Sequence, residues 1–438
     1  MNMNTGFSKF IDSMRDYFEN SNGTTQISDF RRNAWNEFER NGIPTRKTED
    51  WKYVNLSFIG DIDFNYAKFI SKINDIRKYD KFRTILPSAH NLIFVNGVFL
   101  PELSSPAIPQ IEYCSLNTDT MLVNFSNNVN LNNRIKSHKN PFSLLSEALT
   151  DNYFSIRIED NVTIETPIHL INILDSSDES IISTTRCNIS IGKNSEVSLI
   201  ETNYKTGNNA GLGINLTNII ADNDSRCTYY KLQSDNNNSY FISETNFLQN
   251  RGSMLDSFSF SLDGKLIRND LNIVLNGSGS ESNLYGLYFA DGKDLIDNHT
   301  SIYHANPDCS SNQTYKGILA GSGTGIFNGK IVVEEDAQRT KAYQSNKNIL
   351  LSNDATINTK PQLEINADDV RCSHGATSGR LDEESLFYLR SRGISADDAK
   401  ILLLKAFADD IISKVKYTEL QDLISNLVSE KFTSNGNN

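Results

Sequence analysis

CNISIGKNSEVSLIE, residues 187–201, sets two short apolar runs on either side of a polar break, Gly192-Lys193-Asn194-Ser195. Within the runs the apolar positions recur at every second residue, which is the period of a strand and not of a helix. Ile200 breaks the alternation by adding an apolar residue on the other face. VTIETPIHLINIL (162–174) and FSFSLDGKLIRNDLNIVL (258–275) repeat the pattern, punctuated by Asn, Asp, Gly and Ser. Apart from PFSLLSEALT (141–150), which reads as a short helix, helical pattern is nearly absent from residue 91 to residue 380. Some two hundred residues of this kind form a sandwich, a barrel or a solenoid. Runs apolar on more than one face, without regular hairpin turns, lean toward a stacked parallel solenoid. At about 20 to 25 residues per repeat it would hold roughly nine coils.

Both ends of the chain change period. Phe7, Phe10, Ile11, Met14, Tyr17 and Phe18 give one apolar face to a first helix that Gly23 and its neighbours end. A second helix starts near Ser28, buries Phe30, Ala34, Trp35 and Phe38, and stops at Gly42 ahead of Pro44. A third is expected near Ala67 to Tyr79. Between them, PTRKTEDWKYVNL (44–56) reads as a solvated linker anchored by an aromatic. NLIFVNGVFL (91–100) predicts a hairpin, because Asn96-Gly97 suits the positive backbone angles of a type I′ turn. At the other end, LDEESLFYLRSR (381–392) is a short helix with acids first and arginines last, as the helix dipole prefers. Ser395 caps a longer helix, with Asp398 in a capping-box-like position. Its apolar stripe, which includes Leu403, Phe407 and Ile411, is too wide for one shallow contact, so part is expected to meet the core and part a partner. Thr418 begins a last helix, and the tail TSNGNN is expected to be disordered. The expected division is a helical region 1–90, a β core 91–375 and a helical region 376–438.

With 42 basic and 54 acidic residues among 438, the net charge is -12, and no basic run concentrates the opposite sign. Nucleic acid is therefore a poor partner. No apolar stretch is long enough to span a bilayer, and the N-terminus lacks the layout of a secretion signal, so a soluble cytoplasmic protein with no membrane partner is expected. Five cysteines, Cys114, Cys187, Cys227, Cys309 and Cys372, are scattered and odd in number, unlike a disulfide framework or a self-contained zinc site.

Three segments invite a chemical reading. AGSGTGIFNGK (320–330) has the glycines of a phosphate loop, but Lys330 leads into IVVEE, a strand, where a nucleotide site needs a helix. The glycines are read as turn residues, and no ATP site is expected in this chain. DNHTSIYHANPDCSSNQ (297–313) gathers Asp297, His299, His304 and Cys309, yet residues 299 and 304 face opposite sides of an unbroken strand and cannot share an ion. A structural role is favoured for most of this cluster. Cys372 and His374, in RCSHGATSGRLDEESLFYLRSRGIS (371–395), are two apart and share a face if the backbone is extended. Two ligands do not close a metal site. On the residues alone, a structural corner between strand and helix comes first, a metal site completed by another chain second, and a thiol hydrolase third, since nothing supplies an oxyanion hole.

FNGKIVVEEDAQRTKAYQSNKNILLS, PQLEINADDVRCSHGATSGRLDEESLFYLRSRGI, RKTEDWKYVNL and HTSIYHANPDCSSNQTYKGI together resemble the SufB/SufD family of iron–sulfur cluster assembly proteins, from about residue 44 to residue 412. The SHGATSGRLDEESLFYLRSRGI form is similar to its SufD branch. The resemblance implies a mainly β fold, a right-handed parallel β-helix flanked by N-terminal and C-terminal α-helical regions. It implies a non-catalytic scaffold that pairs with SufB through the β-helices and binds the ATPase SufC through the C-terminal helices, where Leu403, Phe407 and Ile411 become docking candidates. It also implies that His374, with Cys372 beside it, lies where a transient iron–sulfur cluster is shared with SufB. ATP hydrolysis by SufC would open that interface. A homodimer is conceivable when SufB is scarce. A purely structural adaptor, and a β-helix carbohydrate-active enzyme, are the competing readings.

Overall fold

Leu199, Tyr229, Ser257, Leu284, Gln313, Gln344 and His374 lie side by side in one parallel ladder, so successive coils repeat every 27 to 31 residues. The computed structural model describes residues 7–20, 29–67, 76–116, 140–150, 153–234 and 238–434. The odd and even strands of these coils build two ten-stranded sheets, wound into a β-solenoid of about seven turns. This corrects the expectation of nine shorter coils. Most strands in the coils run to 10 or 11 residues, longer than usual, and each coil spends two of them plus two turns.

The opening stretch is one corner of this winding. Ile181–Ile191 belongs to one sheet and Glu196–Thr206 to the other. Between them Asn194 adopts φ 53°, a left-handed angle that asparagine tolerates, and its N–H donates to the Asn223 carbonyl of the next coil at 3.0 Å. On the outward face of the first sheet, beneath covering residues, Asn188, Asn218, Asn246 and Asn272 stack in register, each amide donating to the one before at 2.9 to 3.0 Å. Such a ladder satisfies every member only when the strands are parallel and unslipped.

Inside the coil, Ile189, Leu199, Phe247, Ile273, Leu284 and Phe327 belong to one continuous apolar core. Both outer faces are also covered. Helices Ser8–Asn20, Asp29–Asn41 and Pro141–Leu149 pack Phe10, Met14, Trp35 and Phe142 against Ile182, Leu212 and Ile242 of the first sheet. Helices Ala396–Ile412 and Thr418–Ser434 pack Leu404, Ile411, Leu420 and Ile424 against Tyr230, Phe258 and Phe289 of the second. Strands buried on two sides carry apolar residues on two sides, which is why alternation is blurred in the sequence.

The hairpin at Asn96-Gly97 is present: Phe94 pairs with Phe99 and Val95 with Val98, and the two turn residues have φ 49° and 79°. The third helix is described only at its end, as a 3₁₀ turn Ile76–Tyr79 running into Asp80–Arg83. Gly23, most of the span between Ala67 and Tyr79, and the last four residues of the tail lie outside the described residues. The segment 44–56 is better anchored than a linker. Trp51 is buried, and the Arg268 guanidinium lies 4.0 Å from its ring centre. Among the described residues no helix is long and apolar enough to cross a membrane.

Candidate functional site at the open end of the solenoid

The two ends of the solenoid differ. At the early end the ladders finish in antiparallel strands, Val98–Phe99 and Ile111–Leu116, and Phe99 lies 4.6 Å from Phe154 and 5.4 Å from Phe94, ring centre to ring centre. Leu92, Phe94 and Ile111 are buried there. At the late end, strands Thr356–Ile365 and Val370–Gly379 are the last members of their sheets, each hydrogen-bonded along one side only. The apolar core simply stops: Ile357, Leu363, Val370 and Cys372 form its last layer and are only partly covered. An unpaired strand edge beside an uncovered apolar layer is a surface that another chain can extend.

Cys372 and His374 sit on this end. Cys372 lies beside buried Ala342, and His374 beside buried Gln344, so both side chains belong to the inward-facing row of their strand. Cys372 is half-covered and His374 is exposed, because no further coil follows. The reading of a strand-to-helix corner is corrected. The pair lies within a ten-residue strand that continues to Gly379, and the helix begins only at Glu383. The small residues Gly375, Ala376, Ser378 and Gly379 look like a break in sequence, yet in-register pairing to Thr340–Leu350 holds them extended, and the core runs past residue 375.

Burial pushes the Cys372 thiol up from its ordinary range, and a hydrogen bond to the Ala342 backbone pulls the other way. In the isolated chain the sulfur is therefore held mostly as thiol and gains ligand character when a metal or a neighbouring cation favours thiolate. Among the described residues no three His, Cys, Asp or Glu side chains are grouped to hold a metal ion. The Cys372–His374 face offers a soft and a borderline ligand and needs the rest from outside.

The other candidates are used within the chain. His299 faces outward, within 2.9 Å of Asp297, whereas His304 points into the core and its Nε2 hydrogen-bonds with Ser311 Oγ at 2.9 Å. Burial pushes His304 down to about 4, so it is neutral. The Cys309 thiol is buried and donates to the Gly277 carbonyl at 3.3 Å. In the glycine-rich segment, Gly321 at φ 55° stacks its turn on Gly292 of the previous coil, and the strand Thr324–Val333 follows directly.

Of the helix residues named for docking, Ile411 is fully buried against the solenoid, while Leu403 and Phe407 are half-buried. The outward apolar surface lies elsewhere. Phe387, Tyr388 and Leu402 are 75%, 57% and 46% exposed. Phe387 and Tyr388 line an open groove on helix Glu383–Ser391, a helix with no buried residue. The run Leu386-Phe387-Tyr388 in so short and charged a helix was the signal available in the sequence, since a helix with aromatics and no core to meet has them free.

The family description "SUF system FeS cluster assembly, SufBD core domain" matches residues 173–407, and "SufBD protein N-terminal region" matches residues 1–170. The chain belongs to the SufBD family. It is 31% identical to the iron–sulfur cluster assembly protein SufD of Escherichia coli over 86% of each chain. It is 30% identical to an iron–sulfur cluster assembly SufBD family protein of Synechocystis, over 88% of this chain and 87% of that one. A SufBD family protein of Mycobacterium leprae is 32% identical over 44% of this chain and 51% of its own. The join between the two SufBD regions falls at the strand Ile168–Asp175, inside the solenoid, so both regions contribute coils to one body.

Proposed function

We propose that this SufBD chain is a non-catalytic scaffold subunit that joins SufB end to end and carries part of the site where an iron–sulfur cluster is assembled. The observation that carries the reading is the open end, where two strands each leave one edge unpaired and a half-covered apolar layer lies beside Cys372 and His374. A partner solenoid laid against this end would cover Ile357 and Leu363, extend the sheets, and enclose the thiol and the imidazole between the two proteins. The missing ligands would then come from SufB. Excluding water from the seam strengthens ligand bonds and protects sulfide and ferrous iron from oxidation.

SufC, the ATPase of the proposed complex, is assigned to the C-terminal helices. Exposed Phe387, Tyr388 and Leu402, with half-buried Leu403 and Phe407, are its docking surface, and Ile411 supports that surface from beneath. ATP-driven approach of two SufC subunits would move these helices and open the seam for iron and sulfide. In this reading the chain cleaves no bond, acts in the cytoplasm, and pairs with a second copy of itself when SufB is scarce. A purely structural adaptor differs from it in one respect: His374 would be dispensable.

The test is anaerobic co-expression of the chain, wild type and His374→Ala, with its SufB and SufC, followed by assay of iron and acid-labile sulfide in the assembled peak. Loss of both from an intact His374→Ala complex is the expected result. Equal content in the two complexes would leave only the adaptor, and failure of the wild type to join SufB and SufC would sink the proposal.

A further inference from the structure

Thr300, Gln313 and Gln344 form a hydrogen-bonded row inside the solenoid that runs toward the open end. Gln313 Nε2 donates to Thr300 Oγ1 at 2.5 Å, and Gln344 Nε2 donates to Gln313 Oε1 at 2.8 Å. The row has a direction, because each amide gives its N–H to the group behind it and keeps its oxygen for the group ahead. The oxygen of Gln313 is taken by Gln344. The oxygen of Gln344 has no partner, although the residue is only 4% exposed. Leaving a buried amide oxygen unpaired is costly, because it gives up water and receives no partner in return. One coil further along the same ladder, beside Gln344, stands His374.

The Gln344 amide is also held in place from across the core. Gly329, which neighbours Thr300 in the facing sheet, would bring a Cβ to 1.9 Å from Gln344 Nε2 and 2.8 Å from its Cδ. Only a hydrogen at position 329 leaves room for the amide. The unpaired oxygen therefore belongs to a side chain fixed at one end by Gln313 and along its flank by Gly329.

We infer that Gln344 is a positioning residue for His374, its side-chain oxygen accepting the N–H of one ring nitrogen of the imidazole. Swinging the exposed ring over Gln344 completes the row. It fixes one tautomer and leaves the lone pair of the other nitrogen directed out of the open end. Gln344 touches no iron; it decides which nitrogen does. The inference rests on the ligand role proposed for His374, and its test is made without metal so that the two stand or fall separately.

The experiment is nitrogen-15 spectroscopy of the full-length, metal-free chain with labelled histidine, at a pH where the imidazoles are neutral, the His374 signals being assigned by their loss in His374→Ala. Wild type is expected to show two well-separated ring nitrogens, the signature of one tautomer. Gln344→Leu removes the acceptor, and Gln344→Asn withdraws it by one methylene; each is expected to draw the two His374 signals together while the other histidines stay unchanged. In the assembled complex, either variant is expected to weaken iron binding by about 10- to 100-fold. Unchanged His374 signals in both variants, or a wild-type ring already averaging two tautomers, would overturn the inference, whatever the fate of the ligand role.

Discussion

The Lys316 ammonium lies 4.4 Å from the centre of the Phe407 ring and donates to the Phe407 carbonyl at 2.9 Å. Lys316 is buried, and it also ion-pairs with Asp410 at the solvent edge. Its strand, Ser310–Leu319, pairs with Thr340–Leu350, which pairs with the strand carrying Cys372 and His374. One lysine thus ties the C-terminal helices to the sheet that ends at the candidate site. Lys316→Met keeps the stem and removes the charge, which forfeits both the charge-assisted hydrogen bond to the Phe407 carbonyl and the cation–π contact. The expected cost is about 2 kcal/mol, or about thirtyfold in the local opening equilibrium. Hydrogen exchange should speed up across 396–412 and stay unchanged across 254–304. Equal exchange in the helix would show that Lys316 is not the tie.

Arg268 holds the N-terminal strap. Its guanidinium covers Trp51, donates to the Asp50 carbonyl at 2.7 Å, and pairs with Asp297 at 2.7 Å and Asp270 at 2.8 Å. Burial pushes Asp297 up, and His299 and Arg268 outweigh it to hold the carboxyl below its ordinary range. Arg268→Met removes one of the two cations facing the fully buried Asp297 carboxylate, leaving it to His299, and is expected to destabilise the fold by about 3 to 5 kcal/mol. Adding Asp297→Asn should recover part of that loss. Thermal melts, with limited proteolysis near residues 44–56, check both; a double variant no better than the single would refute the charge argument.

Two buried groups predict opposite pH dependences. His304 is pushed down to about 4 by burial, so between about pH 6.5 and 4 the unfolded chain binds the extra proton and the group's contribution to stability falls with falling pH. Asp294 is pushed up to about 7, chiefly by burial and then by Asp263, so the folded chain holds its proton and the contribution is lost as pH rises toward 7. Relative to wild type, His304→Gln should gain stability on acidification from pH 6.5 to 4.5, and Asp294→Asn should gain on going from pH 4.5 to 7. Each slope is bounded by about 1.4 kcal/mol per pH unit. Denaturant midpoints at four pH values decide it, and parallel curves for wild type and variants would refute the assignments.

Cys187, Cys227 and Cys309 are buried, and burial holds each thiol above its ordinary range, whereas Cys372 is half-covered at the open end. In the isolated chain, Cys372→Ser should abolish one labelling event by a thiol reagent at pH 8, and Cys309→Ser should not. Covering the open end with SufB should protect Cys372. Undiminished labelling of Cys372 in the complex would place the junction elsewhere.

The solenoid was legible because its cause is local. Alternation in CNISI and EVSL, and corner residues such as Asn194, act within a few positions. Coil length was misjudged because it depends on where each strand ends, and that is set by pairing with neighbours some thirty residues away. The shared face of Cys372 and His374 followed from strand geometry alone. Their position at an open end did not, since it depends on no later segment returning to cover Thr356–Ile365. The split of the long helix between inward Ile411 and outward Leu402 needed the sheet beneath it, and the neighbourhood of Gln344 spans five strands.

The difference between the two ends of the solenoid has an arithmetic consequence. Stacked coils with two bare ends would add copies without limit and grow into a fibre. Here the early end is turned back on itself around Phe94, Phe99 and Phe154, whereas among the described residues no such turn follows the end at Val370–Gly379. A body with one coupling end stops at two, so two such solenoids joined at this end would saturate as a pair with one enclosed seam rather than a string of them.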